Sequence, residues 1–114
     1  MADKFSVDDF KRVGSIVKEN EVYTVLDVSK LDNLVVSKTV LHPGKETCGH
    51  SHGGAEEVYF FMEGRGKMQL DEEKFNVNAK DIVLIPKGSF HKVFNNSKSD
   101  LVFVCVFEKY GERK

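Results

Sequence analysis

The sequence predicts an all-β domain, a sandwich or barrel built from short strands. Segments rich in β-branched and aromatic residues recur roughly every ten residues, counting strand plus turn. Turn-forming residues separate them, and no amphipathic stretch is long enough for a substantial helix.

Taken in order, Ser6 with Asp9 predicts one capped helical turn near the amino terminus. Residues 12–17, 21–28 and 33–41 read as strands, punctuated by Asn20, the 29–32 segment and Pro43-Gly44. Beyond the histidine-rich stretch, strands are expected over 56–62, 67–70, 74–77, 81–85, 90–94 and 101–107. The turns between them are Glu63-Gly64-Arg65-Gly66, Asp71-Glu72-Glu73, Asn78-Ala79-Lys80, Lys87-Gly88 and Asn95-Asn96-Ser97.

Composition bounds what such a domain does. The 114 residues suit one domain, and 40% hydrophobic content suffices for a core without covalent staples. Seventeen basic against eighteen acidic residues leave a net charge of -1, and the longest like-charged run is Asp71-Glu72-Glu73. Neither a nucleic-acid footprint nor a polybasic membrane anchor is expected from that balance. No apolar stretch reaches the roughly 18 residues needed to span a bilayer, and the amino terminus lacks a signal peptide's apolar centre. A cytoplasmic location is the expectation, with Cys48 and Cys105 as free thiols in a reducing compartment.

The chemistry concentrates in two segments. The first runs from Gly44 through His50-Ser51-His52 and Glu57 to Gly64; the second runs from Pro86-Lys87-Gly88 through His91 to Asn95. Three imidazoles and a carboxylate form a ligand set for a divalent metal ion, and folding must bring the two halves together. His50 and His52 stand two apart, so an extended chain directs both rings to one face. His91 follows a Pro-x-Gly turn that can return its ring to the same ion.

These two segments resemble the signature motifs of the cupin superfamily. Gly44 to Gly64 matches the first motif at each defining position, and Pro86 to Asn95 matches the core of the second. The fifteen residues between Gly64 and Lys80 are similar to the shortest spacing, found in single-domain microbial members. The resemblance implies a cupin jelly-roll β-barrel, a double-stranded β-helix, as a single domain over 1–114 with metal-site motifs at 44–64 and 80–95. It also implies one metal ion, with Zn, Mn, Fe and Ni all compatible with ligands His50, His52, Glu57 and His91. One departure is Lys80, where the family usually has glycine; either Asn78 then takes the left-handed conformation or the turn differs.

Several neighbours carry two readings. Glu56 and Glu57 are adjacent and must face opposite sides of a strand, and the motif selects Glu57, six residues before Gly64. Tyr59 shares parity with Glu57, and Asn95 shares parity with His91, so both can reach the pocket; for Asn95 a turn role is the stronger expectation. Cys48 shares parity with His50, yet a small buried hydrophobe is its expected role, as it is for Cys105. His42 lies outside both motifs and is read as structural or exposed.

Function is expected to be a metal-dependent enzyme on a small polar substrate, by isomerisation of a sugar-phosphate-like molecule or by dioxygenase-type chemistry on iron. Thiol dioxygenases of the superfamily commonly lack the motif glutamate, so Glu57 weighs against that subgroup. The alternative is a non-catalytic module binding a small molecule or anion, with Lys87, Arg65 and Lys67 as the basic residues nearest the motifs. Segments 57–62 and 101–107 are apolar on both faces, which predicts a covered outer sheet and, most simply, a homodimer.

Overall fold

The computed structural model describes residues 4–51 and 54–109. A 3-10 turn over Val7–Asp9 runs into a short helix, α1, over Phe10–Val13. The Ser6 hydroxyl accepts from the Asp8 amide at 3.2 Å, so the cap falls where Ser6 predicts it. Arg12 and Val13 belong to this helix, and the first strand starts three residues later than expected, after Gly14.

The strands are β1 (Ser15–Glu19), β2 (Tyr23–Val28), β3 (Leu34–Leu41), β4 (Glu57–Glu63), β5 (Arg65–Leu70), β6 (Glu73–Asn78), β7 (Ile82–Ile85), β8 (His91–Phe94) and β9 (Leu101–Glu108). They form a six-stranded sheet ordered β1-β2-β3-β9-β4-β7 and a three-stranded sheet ordered β6-β5-β8, with all pairings antiparallel. The core lies between the sheets: Leu41, Phe61 and Phe103 from the large sheet meet Met68, Val77 and Val93 from the small one. This is the double-stranded β-helix arrangement.

Alternation decides what faces inward. On β3 the buried residues are Val35, Ser37, Thr39 and Leu41, and on β4 they are Glu57, Tyr59 and Phe61. Glu56, Met62 and Glu63 are exposed.

The outer face of the large sheet is covered from within the chain. Phe10 packs with Leu26, Val28 and Val104, joined by Phe5, Val7, Val13, Val36 and Phe60. Lys38 Nζ donates to the Val7 carbonyl at 2.8 Å and pins the segment down. The two-sided apolar pattern of β4 and β9 therefore has an intramolecular cause, and the dimer expected from it loses that support over the middle of the sheet. Among the described residues the barest large apolar pair within one strand is on the edge strand β7, where Ile82 and Leu84 are 58% and 68% exposed.

Two of the barrel's irregularities lie in β1 and in the β6–β7 turn. In the β1–β2 ladder the register slips between Ile16 and Lys18: Ile16 pairs with Leu26, and Lys18 pairs with Val25. Val17 is the extra, bulged residue. A regular ladder puts residues two apart on one face; here Ile16 opposes a residue of the outer cluster, whereas Lys18 opposes an inward one.

The second irregularity is the β6–β7 turn, where Lys80 itself takes φ 81° and Asn78 does not have positive φ. The Asn78 amide donates to Asp81 Oδ2 at 2.8 Å, and the Lys80 amide donates to the Phe61 carbonyl at 2.6 Å. These bonds hold a non-glycine residue in the left-handed region. Gly64, by contrast, has φ 84°, and a Cβ there would sit 2.4 Å from the Asp100 carbonyl oxygen, so glycine is required.

Candidate metal centre

Three elements converge on one point inside the barrel. Glu57 is the first residue of β4, opposite Phe107 of β9 and Ile85 of β7, and is 6% exposed. His91 opens β8 after the Pro86-Lys87-Gly88 turn, in which the Ser89 amide donates to the Pro86 carbonyl at 3.2 Å and Gly88 has φ 78°. The residue before it is fixed from both sides, since the Phe90 amide donates to Asp71 Oδ1 at 3.0 Å and the Phe90 carbonyl accepts from the Asp71 amide at 2.8 Å. His50 lies outside the named strands and joins the sheet through a single antiparallel bridge to His91.

His50, Glu57 and His91 offer ligand atoms that all lie within 4.8 Å of one another. The His50 and His91 ring centroids are 4.6 Å apart at 77°, and the Tyr59 ring meets the His91 ring edge-on at 5.8 Å. His52 lies outside the described residues.

The donor chemistry fits a cation. His91 Nδ1 is 3.2 Å from the Ser89 carbonyl oxygen, a contact in which only the ring nitrogen can be the donor. That contact calls for a proton on Nδ1, and in the neutral ring it turns the Nε2 lone pair toward Glu57, whose Oε1 is 3.3 Å away. A neutral imidazole nitrogen and a carboxylate oxygen both offer lone pairs, so something positive must lie between them. A proton meets that need for the pair alone. A metal ion meets it for the pair and His50 together once the three donors, within 4.8 Å of one another, draw in to the roughly 4.2 Å that two donors about 2.1 Å from one ion can span.

Around this point is a cavity of about 290 Å³, walled by Val25, Phe103 and Phe107 and lined by Tyr59 as its parity predicts. Other expectations need correction. Cys48 is exposed and lines the cavity instead of filling the core. Cys105 is buried as expected. Asn95 is 1% exposed and organises a loop: its Nδ2 donates to the carbonyls of Leu41 and Ser99 at 2.9 and 2.8 Å, and its Oδ1 accepts from the amide and hydroxyl of Ser97. His42 is a half-buried structural residue, its Nδ1 3.2 Å from Asp100 Oδ1.

None of Lys87, Arg65 and Lys67 lines the cavity; among the described residues the lysine that does is Lys18, brought inward by the Val17 bulge.

A cupin-domain family model matches residues 37–107, a span containing both halves of the site and the strands that carry them. The chain is a cupin. This cupin is 31% identical over 100 residues to a glucose-6-phosphate isomerase from Thermococcus litoralis, covering 76% of this chain and 53% of that protein. It is 29% identical over 66 residues to an oxalate-binding protein from Thermotoga maritima, covering 58% and 54% of the two. The chain thus spans about half the length of the curated relatives it matches. Its fold superposes with a TM-score of 0.80 on a protein with a double-stranded β-helix domain from Klebsiella pneumoniae, at 22% identity and 95% and 90% coverage of the two chains. Among the described residues no helix of this cupin is long and apolar enough to cross a membrane.

Proposed function

We propose that this cupin binds one divalent metal ion through His50, Glu57 and His91, with His52 as the fourth ligand of its motif, and acts as a metal-dependent enzyme on a small polar molecule. The observation that carries this reading is the buried pair His91 Nε2 and Glu57 Oε1, two lone-pair donors 3.3 Å apart at the wall of a cavity.

His50, Glu57 and His91 would hold the ion, which would supply Lewis-acid or redox chemistry at the cavity wall. The chain's own residues do the rest. Glu57 offsets part of the ion's charge, and the Ser89 carbonyl holds the His91 ring in the tautomer that presents Nε2. Phe103, Phe107 and Val25 exclude water from the inner wall, which strengthens polar contacts made inside. Proton transfer, which an isomerisation requires, would fall to Tyr59, Tyr23, Lys18 or a cavity thiol, since Glu57 is the one carboxylate among the described lining residues.

The resemblance to a glucose-6-phosphate isomerase supports isomerase chemistry on a sugar-phosphate-like substrate; iron in the site would favour dioxygenase chemistry instead. Elemental analysis of protein purified without added metal, followed by activity screening with the ion found, tests the reading. One equivalent of Zn, Mn, Fe or Ni per chain is expected. Protein that retains no metal and is stabilised by none of these ions would refute it.

A second reading, a binding module without catalysis, draws on the same scarcity of cavity carboxylates and on the resemblance to an oxalate-binding protein. Turnover of a screened substrate separates the two. For assembly, a homodimer keeps one support, the bare Ile82 and Leu84 on edge strand β7. Sedimentation at micromolar concentration tests it.

A further inference from the structure

We propose that Lys18 makes this pocket selective for anions: its ammonium takes the carboxylate or phosphate end of a small molecule whose other end reaches the metal. The inference rests on the metal reading above and adds the substrate class.

Three observations converge. The first is the backbone: without the Val17 bulge, Lys18 would share a face with Ile16, which pairs with Leu26 under the amino-terminal segment. The bulge spends one residue of the ladder and turns the lysine into the cavity that also holds His50, Glu57 and His91.

The second is the partner set. Lys18 is half-buried, its Nζ 5.8 Å from the centroid of the Tyr23 ring, and no described carboxylate forms an ion pair with it. An aromatic face steadies an ammonium without neutralising it, so its hydrogen-bonding capacity stays available to a ligand.

The third is charge balance. Glu57 cancels one charge of a divalent ion, the histidines cancel none, and Lys18 adds one, so the lining carries an excess equivalent to two positive charges. A small mono- or dianion matches that excess. A neutral molecule of the same size does not.

Calorimetric titration of metal-loaded protein with oxalate and, separately, imidazole tests the proposal. Oxalate reads the anion site, and imidazole reads the open metal position. Lys18→Met should weaken oxalate binding by about tenfold or more, the usual cost of losing one charged hydrogen bond. Imidazole affinity and metal content should stay within about twofold. Lys18→Arg should keep most of the oxalate affinity. In the Lys18→Met background, Ile16→Lys returns the charge on the outer face and should not rescue.

Oxalate affinity that is equal in Lys18→Met and wild type, rescue by Ile16→Lys, or no oxalate binding by wild type would each overturn the proposal. Failure of the metal reading shows separately, as wild-type protein without metal or imidazole binding. The oxalate comparison on that metal-free protein then still decides whether Lys18 holds the anion.

Discussion

His50 and His91 exchange both backbone hydrogen bonds of one antiparallel bridge, at 3.2 and 3.0 Å, and their rings meet directly inside it. The two motif segments are therefore stitched together at two of the candidate ligand residues themselves. Backbone pairing fixes the spacing of the two Cα atoms, which leaves only side-chain rotation to complete the site.

Register on β4 separates the two glutamates. Glu57→Gln replaces a charged ligand with a neutral one of similar shape and should weaken metal affinity by about tenfold or more. Glu56 is exposed, and Glu56→Gln should change stability by no more than about 0.5 kcal/mol with metal affinity intact. Competition with a chelator reads both variants. Equal losses would contradict the register.

Metal binding should stabilise the fold, since the ligands come from both sheets and are scattered in the unfolded chain. At an ion concentration about 100 times Kd the gain is about 2.7 kcal/mol. In a domain of this size that raises Tm by roughly 10 °C, and excess chelator should reverse it. An unchanged melting curve would argue against an ion bridging His50, Glu57 and His91.

Lys80 is held in the left-handed region at φ 81°. Glycine there relieves the Cβ clash at some cost in chain entropy, so Lys80→Gly should stabilise by about 0.5–1 kcal/mol. The urea midpoint should rise with no change in slope. A lower midpoint would mean that the side chain makes a compensating contact.

Asn95 uses both amide hydrogens on carbonyls. Asn95→Asp sets a carboxylate oxygen against the Leu41 and Ser99 carbonyls and should cost about 3 kcal/mol. Metal affinity, measured where the variant is still folded, should be unchanged. A loss of affinity without a loss of stability would move Asn95 into the site.

Phe10 is 3% exposed and packs edge-on against Phe5 at 5.2 Å over the large sheet. Phe10→Ala should cost about 3–4 kcal/mol and uncover apolar surface detectable by dye binding. A cost under about 1 kcal/mol would show that this cover contributes little.

The strands were legible because alternation and turn chemistry agree along most of the chain. Glu57, Tyr59 and Phe61 inward against Glu56 outward follow from parity once Gly64 anchors the motif, and Gly64 is held there by its closeness to Asp100. The candidate histidine ligands stand out by spacing, and His50 and His91 do meet. Lys18 was not legible: Ser15-Ile16-Val17-Lys18-Glu19 reads as regular strand, and nothing in those side chains marks a bulge that depends on pairing with β2. For Cys48 the parity with His50 points to the cavity, as observed, and the expectation of a buried hydrophobe, which rests on how free cysteines usually behave, is the part that fails. The amino-terminal cover did leave a signal, Val7, Phe10 and Val13 at helical spacing, which the brevity of the segment masked.

The large sheet is closed by β3 against β9, with Leu34 opposite Glu108 and Leu41 opposite Leu101. Each of those pairs closes a loop containing most of the domain, and the entropy of closure must be met before any contact repays it. Folding should therefore be slow for a chain this short, on the millisecond-to-second scale of β-barrels. Glu57 and His91 stand on different sheets, so capture of an ion by both should wait on the packing of the two sheets, and its rate should follow that of the slow long-range closure.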